Sequence, residues 1–273
     1  MVKYIFLIIY FFSFSCFSCF FCWSIPSHAA SSQATLQNIK IENINITTEA
    51  VSNLNELQEQ INNLKPKNIF IEERLLYQKK NNNILKDLKK IAKKNSSKLF
   101  VVVGKNTWIG KRGIDNTLEA FKVYKNNIDG IVLRLEPNKT NIWQNYELEY
   151  KAQMLNHMLD AYSAISKETA KYGKEFVAEF PYWLADFQGP LRTFSQDACL
   201  YADRVVLLID DEDMYEVLGN KWNDLFCHYH ISLSKKANSK TNSEIVKLHK
   251  KFNNKLSFDS YFKGYIFDLD FKG

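Results

Sequence analysis

The chain has 273 residues, with 36 Lys and Arg against 30 Asp and Glu for a net charge of +6, and it is 46% hydrophobic and 14% aromatic. That length and apolar content suit one globular domain of the barrel size class and exclude a chain too small or too polar to build a core. The modest positive charge does not amount to a nucleic-acid footprint, because the lysines fall on helix faces. In Ile84–Lys94, for example, Ile84, Leu88 and Ile91 share one face while Lys86, Lys89, Lys90, Lys93 and Lys94 cover the rest. Attraction to an anionic wall polymer or membrane surface is the remaining reading of the charge.

Residues 1–30 read as a secretory leader. Lys3 precedes an uncharged apolar run over residues 4–23, and Pro26, Ser27, Ala29 and Ala30 follow, with small residues placed for cleavage after Ala29 or Ala30. The run is also long enough to span a bilayer, so anchoring through residues 4–23, with the rest of the chain outside the cytoplasm, is the alternative. Neither Cys16 nor Cys19 carries a lipoprotein-type lead-in. A secreted or periplasmic domain over residues 31–273 is expected. It keeps Cys199 and Cys227, either as one disulfide or as two buried thiols.

Within that domain, Leu36, Ile39, Ile41, Ile44 and Ile46 suggest extended chain over residues 35–47, and Thr47, Thr48 and Glu49 open a helix over 51–64. Residues 68–72 form a second strand ending on the acids Glu72 and Glu73, followed by the lysine-rich helix. A third strand over 99–104 runs into a polar, aromatic loop carrying Trp108 and Gly110, and a helix over 115–124 follows. The fourth strand, Asp-Gly-Ile-Val-Leu-Arg-Leu-Glu over residues 129–136, alternates Ile131, Leu133 and Leu135 with Val132, Arg134 and Glu136, so the odd set packs on helices and the even set faces a barrel interior. Pro137 cannot extend the ladder, which puts Glu136 at the C-terminal end, where parallel α/β folds build their sites. A solvated strand-end carboxylate is the plainer reading of the same residue.

After a loop carrying Trp143, a long amphipathic helix over 146–172 buries Met154, Leu155, Met158, Leu159, Tyr162 and Ile165, the methionines serving as core filler. A fifth strand over 176–183 holds Glu179 and ends on Tyr182 and Trp183, and a sixth over 203–211 ends on Asp210 and Asp211. Residues 228–234 and 262–271 supply the seventh and eighth. Strands separated by helices, without hairpin signals, predict a parallel sheet. Eight units with acids at several strand ends predict an α/β fold of the single (β/α)8 TIM-type barrel class. The early strands lack the Gly-rich phosphate loop of a nucleotide-binding open sheet.

Asp129, Gly130 and Glu136 occupy the first, second and last positions of the DGxDxDxE strand motif, and here the chain resembles the chitinase-like family 18 glycoside hydrolases. Residues 129–211 are also similar to a family of secreted bacterial barrels related to glycosidases, in which a GIxLDVEP-type strand is followed by a long helix, a strand ending Pro-aromatic-Trp, and a Val/Leu strand ending in acid. The resemblance implies a glycosidase-like barrel acting on a polysaccharide or peptidoglycan-like polymer, with Glu136 as the acid of the motif. The two inner Asp positions of the motif are Val132 and Arg134 here, so the groups that orient and polarise an N-acetyl substrate are absent.

Arg134 lies two residues from Glu136 on the same strand face, and its guanidinium favours the charged form of that carboxyl. Glu136 then suits a nucleophile or base, with Glu179 as the other carboxylate and Asp210 assisting. The competing expectation is a buried ion network in which Arg134 merely neutralises Glu136 and Glu179. Trp108, Trp143, Tyr182 and Trp183 follow strands and are expected on one rim, where rings stack on sugar faces, with Glu72 and Arg134 as further substrate contacts. No cofactor and no metal is expected: His157 is alone on its helix, and His228 and His230 alternate on a strand without a recognisable third ligand. Cys199 and Cys227 lack a thiol-nucleophile signature, and no Ser nucleophile elbow is present. Two functions follow: a glycoside hydrolase acting through Glu136 and Glu179, or a barrel that has lost catalysis and binds carbohydrate or associates with the envelope.

Overall fold

Eight parallel strands close into a barrel in simple sequence order, each hydrogen-bonded to the next and β8 returning to β1. They are β1 Asn43–Ile46, β2 Asn68–Glu72, β3 Lys98–Val103, β4 Gly130–Arg134, β5 Glu175–Pro181, β6 Arg204–Ile209, β7 His228–Leu233 and β8 Phe262–Leu269. The computed structural model describes residues 42–46, 54–77, 83–110, 112–145, 147–188, 192–209, 225–233 and 261–269. The leader, the start of the first extended stretch, Asp210 and Asp211 lie outside the described residues. Among the described residues, no helix is long and apolar enough to cross a membrane.

Among the described residues, the helices between strands are α1 Leu54–Leu64, α2 Glu73–Leu76, α3 Ile84–Lys94, α4 Gly113–Tyr124, α5 Asn141–Asn145, α6 Leu148–Lys171 and α7 Phe194–Ala198. Each longer helix lays its apolar stripe on the barrel wall. Leu88 and Ile91 of α3 and Met158, Tyr162 and Ile165 of α6 join Ile131, Leu133 and Leu135 in one outer core. Met154 and Met158 are buried, as their spacing predicts. The short α7 is held at its start by a capping box, in which Thr193 accepts from the Gln196 backbone N–H and Gln196 accepts from the Thr193 backbone N–H.

The inward set forms a second, smaller core of Phe70, Phe100, Val102, Val132, Val206 and their neighbours, with Phe70 and Phe100 stacked at 5.1 Å. Phe100 fills the centre only because β4 begins with Gly130, where a Cβ would lie 2.4 Å from its ring. Below this apolar waist, at the N-terminal ends of the strands, Glu175 pairs with both Lys98 and Arg204. Arg204 also lies over the Phe100 ring and 3.4 Å from Nε2 of the buried His230. Cys199 and Cys227 form a disulfide that ties the chain entering β6 to the chain entering β7.

Two strands end earlier than their sequence suggests. β4 stops at Arg134, because Pro137 has no N–H for a ladder and the chain turns into a 3-10 segment, Pro137–Lys139. β5 stops at Pro181, and Tyr182–Leu184 is again a 3-10 turn.

Candidate functional site

The C-terminal ends of β2, β4 and β5 bring Glu72, Arg134 and Glu179 together above the apolar waist. Arg134 and Glu179 are register partners on adjacent strands, and the alternation that turns Val132 inward turns both of them inward as well. Arg134 Nε donates to Glu179 Oε2 at 2.8 Å and Nη2 donates to Oε1 at 3.1 Å, a two-pronged bond, while Nη1 donates to Glu72 Oε1 at 3.0 Å. Arg74 pairs with Glu72 from the outer side. To reach Glu72, the guanidinium crosses β3 where Val102 and then Gly104 keep the way low. Gly104 holds φ at +128°, and a Cβ there would sit 2.1 Å from the Arg134 carbonyl oxygen.

Burial lifts the Glu179 carboxyl above its ordinary range, the Arg134 guanidinium pulls against that, and the charges of Glu72 and Glu136 add to the rise. Burial works against the charge on Arg134 too, but Glu179 and Glu72 hold it firmly protonated. Glu136 does not take Arg134 as its partner: it pairs with Lys139 in the turn that follows β4. Arg134, Glu72 and Glu179 therefore form the ion network, and each of the three mouth carboxylates has a cation beside it.

Between this network and the waist lies a cavity of about 10 Å³, room for about one water-sized group. Phe70, Val102, Val132, Val206 and Ile266 make its apolar walls, and Asn45, Arg134, Glu179 and Ser232 its polar ones. Asn45 Nδ2 donates to Asp268 Oδ1 at 2.7 Å, which fixes the amide, and among the described residues the buried Asn45 Oδ1 has no hydrogen-bond partner.

Of the aromatic residues read as a rim, Trp143 in α5 and Trp183 after β5 meet at 5.3 Å between ring centroids, and Phe187 joins them at 5.9 Å from Trp143. Lys151 stands 5.6 Å over the Trp143 ring. Tyr182 opens the same turn as Trp183, and Trp108 lies in the turn Asn106–Trp108 after β3; all five rings, Trp143, Trp183 and Phe187 included, are half-buried against the outer core. The structure thus gathers Glu72, Arg134, Glu136 and Glu179 at the mouth and Trp143 with Trp183 beside it. Asp210 lies outside the described residues.

Asn45, Ser232, Asp268 and Phe187 are members that sequence reading missed. The signal for Asn45 was available: in Asn43-Ile-Asn-Ile46 the isoleucines mark the outer face, so the asparagines must point in. Among the described residues no group of three or more His, Cys, Asp or Glu side chains is placed to hold a metal. His230 lies at the opposite end of the barrel from the mouth, between Asn43 and Arg204.

No family model matches the sequence, and no curated protein matches it. Solved structures do resemble it in shape. A domain described as belonging to a chitinase from Desulfitobacterium hafniense DCB-2 aligns over 79% of this chain and 77% of its own, at 12% identity and a TM-score of 0.52. What is shared is the barrel. A protein described as an alpha-L-fucosidase from Bacteroides thetaiotaomicron VPI-5482 aligns over 84% of this chain and 88% of its own, at 10% identity and a TM-score of 0.50. A sugar phosphate isomerase/epimerase from Parabacteroides distasonis ATCC 8503 gives 14% identity, 86% and 92% coverage and a TM-score of 0.45. Barrels of this shape host many chemistries, so function has to be argued from the mouth itself.

Proposed function

We propose that this protein is an exported barrel of glycosidase-like architecture that binds a polysaccharide or peptidoglycan-like polymer at its C-terminal rim without hydrolysing it. The observation that carries the reading is the two-pronged bond from Arg134 to Glu179. Glycoside hydrolysis needs two carboxyl groups flanking the bond, one of them protonated and able to donate. Here Glu179 accepts from Arg134 through both oxygens, Glu72 is shared by Arg134 and Arg74, and Glu136 is paired with Lys139. The cavity beneath them has room for about one water-sized group. Binding is supported by the ring cluster of Trp143, Trp183 and Phe187 beside the mouth, a surface suited to the CH-rich face of a sugar.

Hydrolysis remains the second reading on one observation: burial raises the Glu179 carboxyl, the direction a general acid requires. One experiment separates the two. The protein, with Glu136→Gln, Glu179→Gln and Trp143→Ala variants, is incubated with insoluble glycans and peptidoglycan, and both retained protein and released sugar are measured. Retention that falls with Trp143→Ala, with no sugar released by any form, is expected. Release of sugar that disappears in Glu136→Gln or Glu179→Gln would establish the hydrolase instead.

A further inference from the structure

The two ends of the barrel differ in charge. Each longer helix returns the chain to the N-terminal face, where α3 ends on Lys93 and Lys94 and the last turns of α4 and α6 carry Lys122 and Lys171. Cations suit the carbonyl ends of helices, which accounts for these four. Lys67, before β2, and Lys98, which opens β3, lie outside any helix and add to the same face. Among the described residues its acids are already engaged: Glu42 by Lys67, Asp129 by Lys89, Glu168 by Lys171, and Glu175 by Lys98 and Arg204. Asp203 accepts the Phe176 backbone N–H at 2.8 Å. Lys65, Lys93, Lys94 and Lys122 are exposed beyond those pairs. Large apolar side chains are exposed there too. Leu200 and Phe226, 59% and 65% exposed, flank the Cys199–Cys227 bridge, whose Cα atoms stand 5.5 Å apart. Tyr261, also exposed, leads into β8 and accepts the Tyr229 N–H at its carbonyl at 3.0 Å. Asn43 of β1 is level with Ile266, so Tyr261 stands beyond the start of β1.

We infer that the N-terminal face of the barrel docks on an anionic phospholipid bilayer, its lysines meeting the headgroups and Leu200, Phe226 and Tyr261 entering the interface. Basic side chains around exposed apolar ones are the combination that a charged lipid surface takes up, the first by attraction and the second by burial. A second copy docked face to face would set lysines against lysines. A soluble polyanion would pair with the lysines but leave the apolar side chains in water. The chain that follows the apolar run over residues 4–23 enters the barrel at Asn43, on this same face, so attachment through that run and docking of the face work together. The mouth then points away from the lipid, toward whatever polymer lies outside it. The docking surface shares no residue with the rim, so it stands or falls apart from the polymer-binding reading.

The test uses the full chain with vesicles of phosphatidylcholine alone or with phosphatidylglycerol added, and maps lysine accessibility with an amine-reactive ester and mass spectrometry. An apolar leader enters both kinds of vesicle, so the difference between them reports the docking face. Lys65 and Lys94 should be labelled several-fold less on the anionic vesicles, with Lys139 and Lys151 at the mouth end unchanged, and the protection should fade as salt rises. Lys93→Glu with Lys122→Glu should abolish the difference, and Phe226→Ser should shrink it; both replace exposed side chains, and the wild-type comparison stands without them. Equal labelling on the two vesicles, or protection at the mouth instead, overturns the inference. Protection by soluble polyphosphate as strong as by vesicles, and insensitive to Phe226→Ser, overturns the bilayer in favour of an anionic polymer.

Discussion

Arg134 grips Glu179 through both carboxylate oxygens, at 2.8 and 3.1 Å, from the neighbouring strand at the same level. Removing only the cation leaves a buried carboxyl facing Glu72 and Glu136. Arg134→Met therefore costs roughly 3–5 kcal/mol at neutral pH. The sign of its pH dependence follows from the direction of the shift. Glu179 is already raised, and loss of the guanidinium raises it further, so the variant is favoured below the unfolded carboxyl value and loses stability as pH rises through the folded one. Urea unfolding at pH 4 and pH 7 should show the deficit shrinking in acid, and Arg134→Met with Glu179→Gln should recover much of it.

At the other end of the barrel, His230 behaves oppositely. Burial, and then the charge of Arg204, hold its imidazole down at about 3. A depressed value means stability that is complete above the unfolded histidine value of about 6.5 and is lost as pH falls from there toward about 3, with a slope approaching 1.4 kcal/mol per pH unit. His230→Gln, compared with wild type by unfolding at pH 7, 5 and 4, should flatten that acid limb. An unchanged slope would contradict a buried neutral histidine.

The Cys199–Cys227 disulfide closes a stretch of chain 28 residues long in sequence. Reducing it should lower stability by roughly 3–4 kcal/mol through the larger freedom of the unfolded chain. The bridge lies where the chain enters β6 and β7, away from the mouth, so polymer binding by the protein that stays folded should not change. Denaturant midpoints with and without reductant, and with Cys199→Ala plus Cys227→Ala, check both parts.

Gly104→Ala should be more damaging than Gly173→Ala, although both glycines hold positive φ, +128° and +59°. Strain costs roughly 1–3 kcal/mol at such positions. At Gly173 the added Cβ meets nothing within 4 Å, whereas at Gly104 it falls 2.1 Å from the Arg134 carbonyl. Gly173→Ala should lose stability alone. Gly104→Ala should also shift Arg134 and, on the binding reading, lower retention on polymer, as unfolding and retention measurements would show.

The strands were legible because period-two alternation is a local physical signal. Ile131, Leu133 and Leu135 sit in the outer core and Val132 in the inner one, as the pattern requires. Which charge meets which was not legible. Sequence spacing placed Arg134 beside Glu136, two residues away on the same face, but cross-strand neighbours stand nearer than residues two apart along one strand. The register of β4 against β5 brings Glu179 level with Arg134, and Glu136 has left the ladder for the turn where Lys139 meets it. Asn45 was hidden differently. Its partner Asp268 is 223 residues away, and a pairing of that span is written in the closure of the barrel, not in any local stretch.

The apolar waist around Phe70 and Phe100 acts as an insulator between two separately wired ends. Glu175 and Glu179 stand on the same strand, roughly 13 Å apart at about 3.3 Å per residue, yet each answers to its own arginine, Arg204 below and Arg134 above. Groups so separated, with no partner in common, contribute to stability independently. The floor can therefore anchor the fold while the mouth is rewritten residue by residue, which makes this chain a scaffold on which new carboxylate pairs could be installed without dismantling the barrel that carries them.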